Sequence, residues 1–347
     1  MSARYTPIHS FNGHRGPIYA LARGLTGGSF LSGSGDGLVV EWHEDRPQDG
    51  AVLVNVGQAV FALGLMRQAE LLFIGTEGGG LHVVDLASRK EIHLFEVHQK
   101  GVFRIVELPG GRMACAGGDG TLSVWGSVGT EREKVQGRRL KEEEMTGRAN
   151  GPSGLPLSPS TSPLSPSFAR VALQRQIPLC EEKLRDIALS ADGGSIAVAC
   201  GDGTVRILES NLFNELFTLS AHAGGSTSVA WHPGKPALVS GGKDGHIRLW
   251  RSDDAFTPSL AFPAHRGSIY TIAFSEEGHL CATASRDKTA KLWDASTFDA
   301  MGRSDRSMGG HTHSVNAAIW SGDALITAGD DKRILLWRAP DADHPLP

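Results

Sequence analysis

Four stretches of this chain carry a histidine, a hydroxyl, a carboxylate and an indole at nearly fixed spacing. They are His14, Ser32, Asp36 and Trp42; His222, Ser240, Asp244 and Trp250; His265, Thr283, Asp287 and Trp293; and His311, Thr327, Asp331 and Trp337. A fifth stretch, His98, Cys115, Asp119 and Trp125, has a thiol in the hydroxyl's place. A hydroxyl, an imidazole and a carboxylate are the parts of a hydrolytic triad, in which the base takes the nucleophile's proton and the acid orients the base. Repetition argues against that chemistry here. Four copies of one active site in one chain would be odd, whereas four copies of one structural bracket are ordinary. The sets are expected to pin strands together through buried hydrogen bonds, each netting about 0.5–1.5 kcal/mol.

Other chemistry-bearing patterns fail on their neighbours. Gly234-Lys235 runs into Pro236, so it is no P-loop. The glycine-rich Gly33-Ser34-Gly35-Asp36-Gly37 leads into a strand pattern rather than a helix, which disqualifies it as a dinucleotide fingerprint. There is no G-x-S-x-G and no H-E-x-x-H, and the H-x-H of His311 and His313 uses a histidine already claimed by its bracket. Cys115, Cys180, Cys200 and Cys281 show no C-x-x-C spacing, which disfavours a disulfide framework or a cysteine zinc site. No metal or cofactor is expected, and a reducing, cytoplasmic setting follows. With 34 basic and 38 acidic side chains the net charge is −4, which argues against a protein that grips nucleic acid by its phosphates. Nor is there an apolar signal core or a run long enough to span a bilayer.

The elements that must position the brackets can be read from the same spacing. In all five stretches the aspartate stands six residues before the tryptophan, and the residues between form a short β-like run, as in Leu38-Val39-Val40-Glu41-Trp42. Two weaker copies share the frame: Asp202-Gly203 leading to Leu208, and Gly78-Gly79 leading to Val84. Each of the seven copies reads as four short strands. Asp-Gly between apolar alternations is a hairpin signal, because its turn needs a positive φ. Pro109-Gly110, Asp192-Gly193 and Pro233-Gly234 mark a second recurring turn. No long helical period occurs, so the chain is all-β.

These residues resemble the WD40-repeat β-propeller family, whose signature is Gly-His followed by Trp-Asp in repeats of about 40–45 residues. Gly13-His14, Gly310-His311 and Trp293-Asp294 are the literal dipeptides here. The resemblance implies a single domain over residues 4–338, a seven-bladed propeller of four-stranded antiparallel blades. The expected blades are 12–55, 56–97, 98–177, 178–221, 222–264, 265–310, and 311–338 with 4–11. Residues 339–347 form a flexible tail. Residues 127–167 are an insert in blade 3, a mixed-charge run from Glu131 to Glu144 followed by Pro/Ser-rich low complexity. It reads as a tolerated surface loop, with its two P-x-x-P and three Ser-Pro steps offering docking or phosphorylation as the alternative. Without it, the copies average about 44 residues. Too little chain follows Trp337 for another strand, so the spare segment Arg4 to Phe11 is expected to complete the last blade and close the ring.

The informative column lies five residues after each bracket histidine: Tyr19, Phe103, Thr227, Tyr270 and Asn316, with Phe61 and Arg185 aligned in the two weaker copies. The resemblance implies that this column opens near the narrow end of the channel, on a face that commonly docks peptides. Aromatic anchors and an arginine suit such a role, although rings that merely plug the channel would look the same. Lys243 and Arg286, just before their turn aspartates, would add positive charge on the same face. A channel enzyme would need convergent acids, histidines or a metal, and the column holds one arginine, one asparagine and no acid. The expectation is a non-catalytic, monomeric scaffold for a protein or peptide partner. A channel enzyme is the alternative, and a nucleic-acid adaptor is a weaker one.

Overall fold

The computed structural model describes residues 3–4, 7–128 and 170–338. Seven sheets follow one another along the chain, each a four-stranded antiparallel meander. Their innermost strands are Ile18–Arg23, Val60–Met66, Val102–Leu108, Leu184–Leu189, Ser226–Trp231, Ile269–Phe274 and Val315–Ser321. These strands neighbour one another around a ring that closes between the first and the last. The result is a seven-bladed β-propeller.

Closure uses the N-terminal segment, and the segment divides. His9–Phe11 pairs antiparallel with Ile334–Leu336 and becomes the outermost strand of blade 7. Ala3 and Arg4 pair in parallel with Gly302 and Arg303, outside blade 6. Pro7, which has no N–H to give to a ladder, stands between the two pairings. One continuous strand from Arg4 to Phe11 is therefore not what forms.

The apolar core sits between blades rather than within them. Seven buried clusters lie one at each blade junction. At the closing junction Phe11, Phe30 and Trp42 pack with Ile326, Ile334 and Leu336. Each blade buries both faces, so the second strands read as nearly continuous small or apolar runs, such as Ser195–Cys200.

In blade 3 the third strand runs to Val128 and the fourth resumes at Arg170. The insert beyond Val128, and the tail after Arg338, lie outside the described residues.

One irregularity repeats in all seven blades. The register between the first two strands slips immediately after the innermost strand begins. In blade 1, Ile18 pairs with Ser34 and Ala20 with Gly33, which leaves Tyr19 unpaired. The other unpaired residues are Phe61, Phe103, Arg185, Thr227, Tyr270 and Asn316. A bulge of this kind re-aims one side chain out of the pleat. Here it does so seven times, at the column counted from the histidines.

Candidate functional site

Four brackets form as connected chains. In blade 1 the Trp42 indole N–H donates to Ser32 Oγ at 2.8 Å, Ser32 Oγ meets His14 Nε2 at 2.7 Å, and His14 Nδ1 meets Asp36 at 3.1 Å. The same order joins Trp250, Ser240, His222 and Asp244; Trp293, Thr283, His265 and Asp287; and Trp337, Thr327, His311 and Asp331. The order gives every donor an acceptor only if each imidazole is neutral with its proton on Nδ1. Burial acts in that direction, holding His14, His222 and His265 below the ordinary imidazole value. The four hydroxyls are 0% exposed, so no substrate reaches them.

The aspartate is the hub of each bracket. Asp36 also accepts the backbone N–H of Arg15 at 2.7 Å and of Leu38 at 3.1 Å. It thus ties the loop entering the innermost strand to the hairpin turn between the second and third strands. Burial pushes the Asp36 carboxyl up, but these donors and the His14 ring outweigh it and hold it below its usual range. The loop so pinned leads directly into the bulged residue, although blades 2 and 4 form the same bulge without a bracket.

Blades 3 and 4 depart from the frame. In blade 3 the hydroxyl comes from Ser123, not from the Cys115 position. His98 Nε2 meets Ser123 Oγ at 2.9 Å, and the Trp125 indole donates to it at 3.0 Å. Cys115 stands directly opposite Ser123 in the ladder, so one strand replaces its neighbour as donor of the group. Cys115 itself is fully buried in the apolar junction of blades 2 and 3, and burial pushes its thiol up to about 12. In blade 4, Cys180 holds the histidine position and no bracket forms. The position is filled instead by Cys180, Cys200 and Asp202, whose Sγ and carboxylate oxygen atoms lie within 4.8 Å of one another.

At the channel mouth the seven bulged residues meet. Tyr19, Phe61, Phe103, Arg185, Thr227, Tyr270 and Asn316 line one cavity of about 310 Å³, together with Asp330. Tyr19 and Phe61 pack edge to face with centroids 5.0 Å apart, and Phe61 stacks on Phe103 at 5.5 Å. The Arg185 guanidinium lies 4.6 Å above the Phe103 ring, and Lys183 reaches the same ring at 5.5 Å. Burial lowers the pKa of Arg185. Its guanidinium has no hydrogen-bond acceptor among the described residues. Thr227 is spent inward, donating to the Gly241 and Ile269 carbonyls.

The brackets, the seven blades and the ring closure together decide the class of the molecule. The WD domain, G-beta repeat profile matches residues 5–43, 89–126, 213–251, 256–294 and 302–338. The chain belongs to the WD40-repeat family. Among curated relatives it is similar to striatin from Mus musculus, with 24% identity over 243 residues, 65% of this chain and 30% of striatin. It is likewise similar to cilia- and flagella-associated protein 52 from Bos taurus, 24% identical over 321 residues, 90% of this chain and 44% of that protein. Nuclear distribution protein PAC1 from Candida albicans is 32% identical over 117 residues, 32% of this chain and 23% of PAC1. The chain thus spans less than half the length of these relatives.

The WD40 frame also locates what the sequence reading missed. The residues just before the seven turn positions are Gly35, Glu77, Gly118, Gly201, Lys243, Arg286 and Asp330. Glycine makes room for the ring in blades 1 and 3: a Cβ at Gly118 would stand 2.8 Å from the Phe103 ring, and one at Gly35 would stand 3.3 Å from Tyr19. Lys243 and Arg286 are exposed above blades 5 and 6 and do not line the cavity. Asp330, in the same column, does line it and accepts from the Asn316 amide at 2.7 Å. Burial and then the Asp330 and Glu77 charges raise the pKa of Tyr19.

The channel is therefore not free of acids, as the column alone implied. Asp186, next to Arg185, is buried deeper in the channel and is paired with Arg104 at 3.1 Å. Its carboxylate also accepts the Ile187 and Val229 backbone N–H groups at 2.9 and 3.0 Å. Burial raises its pKa against those partners. No helix among the described residues is long and apolar enough to cross a membrane.

Proposed function

We propose that this WD40 ring is a non-catalytic interaction scaffold that docks a protein segment at the channel mouth, with an acidic side chain of that segment held by Arg185. The observation that carries the reading is the unpartnered Arg185 guanidinium, stacked on Phe103 inside a cavity to which every blade contributes one bulged residue. Stacking covers one face of the planar group and leaves its N–H fork free. That fork matches a carboxylate in two parallel hydrogen bonds. Lys183, Lys243 and Arg286 extend positive charge over blades 4 to 6, while Glu77 and Asp330 make blades 2 and 7 negative. Tyr19, Phe61 and Phe103 form an apolar shelf for a neighbouring side chain.

The channel acids favour docking over catalysis. Asp186 spends both oxygens on Arg104 and two backbone N–H groups, and Asp330 is engaged by Asn316. Neither stands as a free acid or base. The four cysteines are free thiols, which supports placement in a reducing, cytoplasmic compartment.

The test is selection of random heptapeptides on the full chain, followed by fluorescence anisotropy of the recovered peptides. Enrichment in Asp or Glu beside an apolar residue is expected. Arg185→Met should weaken those peptides at least about tenfold, as loss of a charge-assisted hydrogen bond implies. Binding that Arg185→Met and Phe103→Ala both leave unchanged would move the site off the channel mouth.

A further inference from the structure

We propose that Cys180 and Cys200 form a reversible thiol–disulfide site, oxidised by hydrogen peroxide, in the place where the five stronger repeats carry a histidine bracket. The frame brings these two positions together in blades 3, 5 and 7. In blade 5 they are His222 and Gly242, and a Cβ on Gly242 would stand 2.5 Å from the His222 Cβ. In blade 3 they are His98 and Gly117, and in blade 7 His311 and Gly329. Glycine makes room for the imidazole there. Blade 4 reverses the choice: the ring is replaced by a thiol, and the glycine by a second thiol. Of the seven blades, blade 4 alone fills both positions with sulfur. The two sulfur atoms lie within 4.8 Å of each other, so a small rotation of the side chains brings them to bonding distance.

The surroundings divide the labour. Cys180 is partly exposed, and Cys200 is buried beneath it. The Cys180 thiol is oriented by the Glu182 carbonyl at 3.0 Å. At the edge of the cluster Arg206 pairs with Asp202 at 3.7 Å and with Glu215 at 2.9 Å. The close approach of the two thiols lowers the pKa of Cys180 and, with burial, drives Cys200 up, in keeping with the exposure of one and the burial of the other. Cys180 is thus the attacking sulfur and Cys200 the resolving one. The Cys180 thiolate attacks one peroxide oxygen, the O–O bond breaks, and hydroxide leaves as water. The sulfenic acid so formed is attacked by Cys200; the S–S bond forms, the S–O bond breaks, and a second water carries away the Cys200 proton. Two thiols and one hydrogen peroxide give one disulfide and two waters. Because Cys180 stands five residues before Arg185, the bond would pin the loop that enters that strand, in one of the two blades that have no bracket to do so.

The test treats the reduced full chain with equimolar hydrogen peroxide in EDTA, alkylates the remaining thiols, and maps peptides without reductant. The expected result is one Cys180–Cys200 linked peptide, with Cys115 and Cys281 alkylated only after denaturation, and full reversal by dithiothreitol. In Cys200→Ser the expected product is a Cys180 sulfenic acid trapped by dimedone. Four outcomes would overturn the proposal: Cys180 carried to sulfinic acid in the wild-type chain, a link between two chains, no oxidation, or stoichiometric zinc that co-purifies with the chain and is lost in Cys180→Ser. Each of these readouts is independent of peptide docking.

Discussion

Blades 6 and 4 occupy equivalent places in one ring and hold their entry loops by different means. In blade 6 the loop is tied through Asp287, His265, Thr283 and Trp293, a chain of hydrogen bonds of 2.7 to 3.0 Å. Burial opposes the Asp287 charge, yet the His265 ring, the Thr289 hydroxyl and the Arg266 backbone N–H outweigh it and hold the carboxyl well below its usual range. In blade 4 the tryptophan position is Leu208, packed with Phe213, Ile187 and Ile196 in the junction of blades 3 and 4. Two thiols stand where the imidazole would be. The ring tolerates this because packing between blades, not the bracket, supplies most of its cohesion. The bracket instead ties the loop entering the innermost strand to the hairpin turn. The bulge, present in all seven blades with or without a bracket, aims the channel residue.

The comparison can be broken most directly by removing the histidine position in both blades. His265→Ala leaves the buried Thr283 hydroxyl and the Asp287 carboxylate without their common partner, so unfolding by denaturant should show a loss of roughly 2–4 kcal/mol. Cys180→Ala under reducing conditions should cost under about 1 kcal/mol, because no buried polar chain ends on it. Equal losses would mean that the bracket is no more than packing.

A pH series sharpens the same point. His14, His222 and His265 sit below their ordinary value of 6.5 because burial disfavours the imidazolium. The unfolded chain therefore takes up protons first as pH falls. Stability is fully present above 6.5 and is lost as pH drops through the folded values, so the melting temperature should decline from about pH 7 to pH 5. Asp287 is depressed relative to 3.8 and adds a further loss only below that value. A flat melting temperature across the upper window would contradict neutral bracket histidines.

Blade 3 offers the smallest effect. Ser123→Ala should cost about 1–2 kcal/mol by denaturant titration, since both the His98 and Trp125 bonds end on that hydroxyl. In a Ser123→Ala background, Cys115→Ser should recover part of the loss by restoring the hydroxyl to the position it holds in the other brackets. No recovery would mean that blade 3 accepts the group from its third strand alone.

Much of the molecule was legible in one dimension. The seven repeats, the four full brackets and the position of the channel column follow from counting residues, because a bracket joins positions at nearly fixed separations wherever it occurs. Asp330 was legible too: it occupies the same pre-turn column as Lys243 and Arg286 but was not read with them. Ser123 was not legible, because its role depends on which residue of the next strand lies opposite Cys115, and cross-strand register is a property of the pairing. The cysteines looked isolated because Cys180 and Cys200 are twenty residues apart in sequence; a hairpin and a loop make them neighbours.

The sequence by itself determined the strand meander, the ring of seven and the positions that would be polar and buried. Those depend on local turn chemistry and a repeated spacing. The tertiary structure alone decided which way the unpaired residues point, that Arg185 meets Phe103 from the neighbouring blade without an acid to neutralise it, and that two distant thiols share one site. Each of these is a contact between strands or between blades. Its geometry is set by sheet register and ring closure, which no single segment encodes.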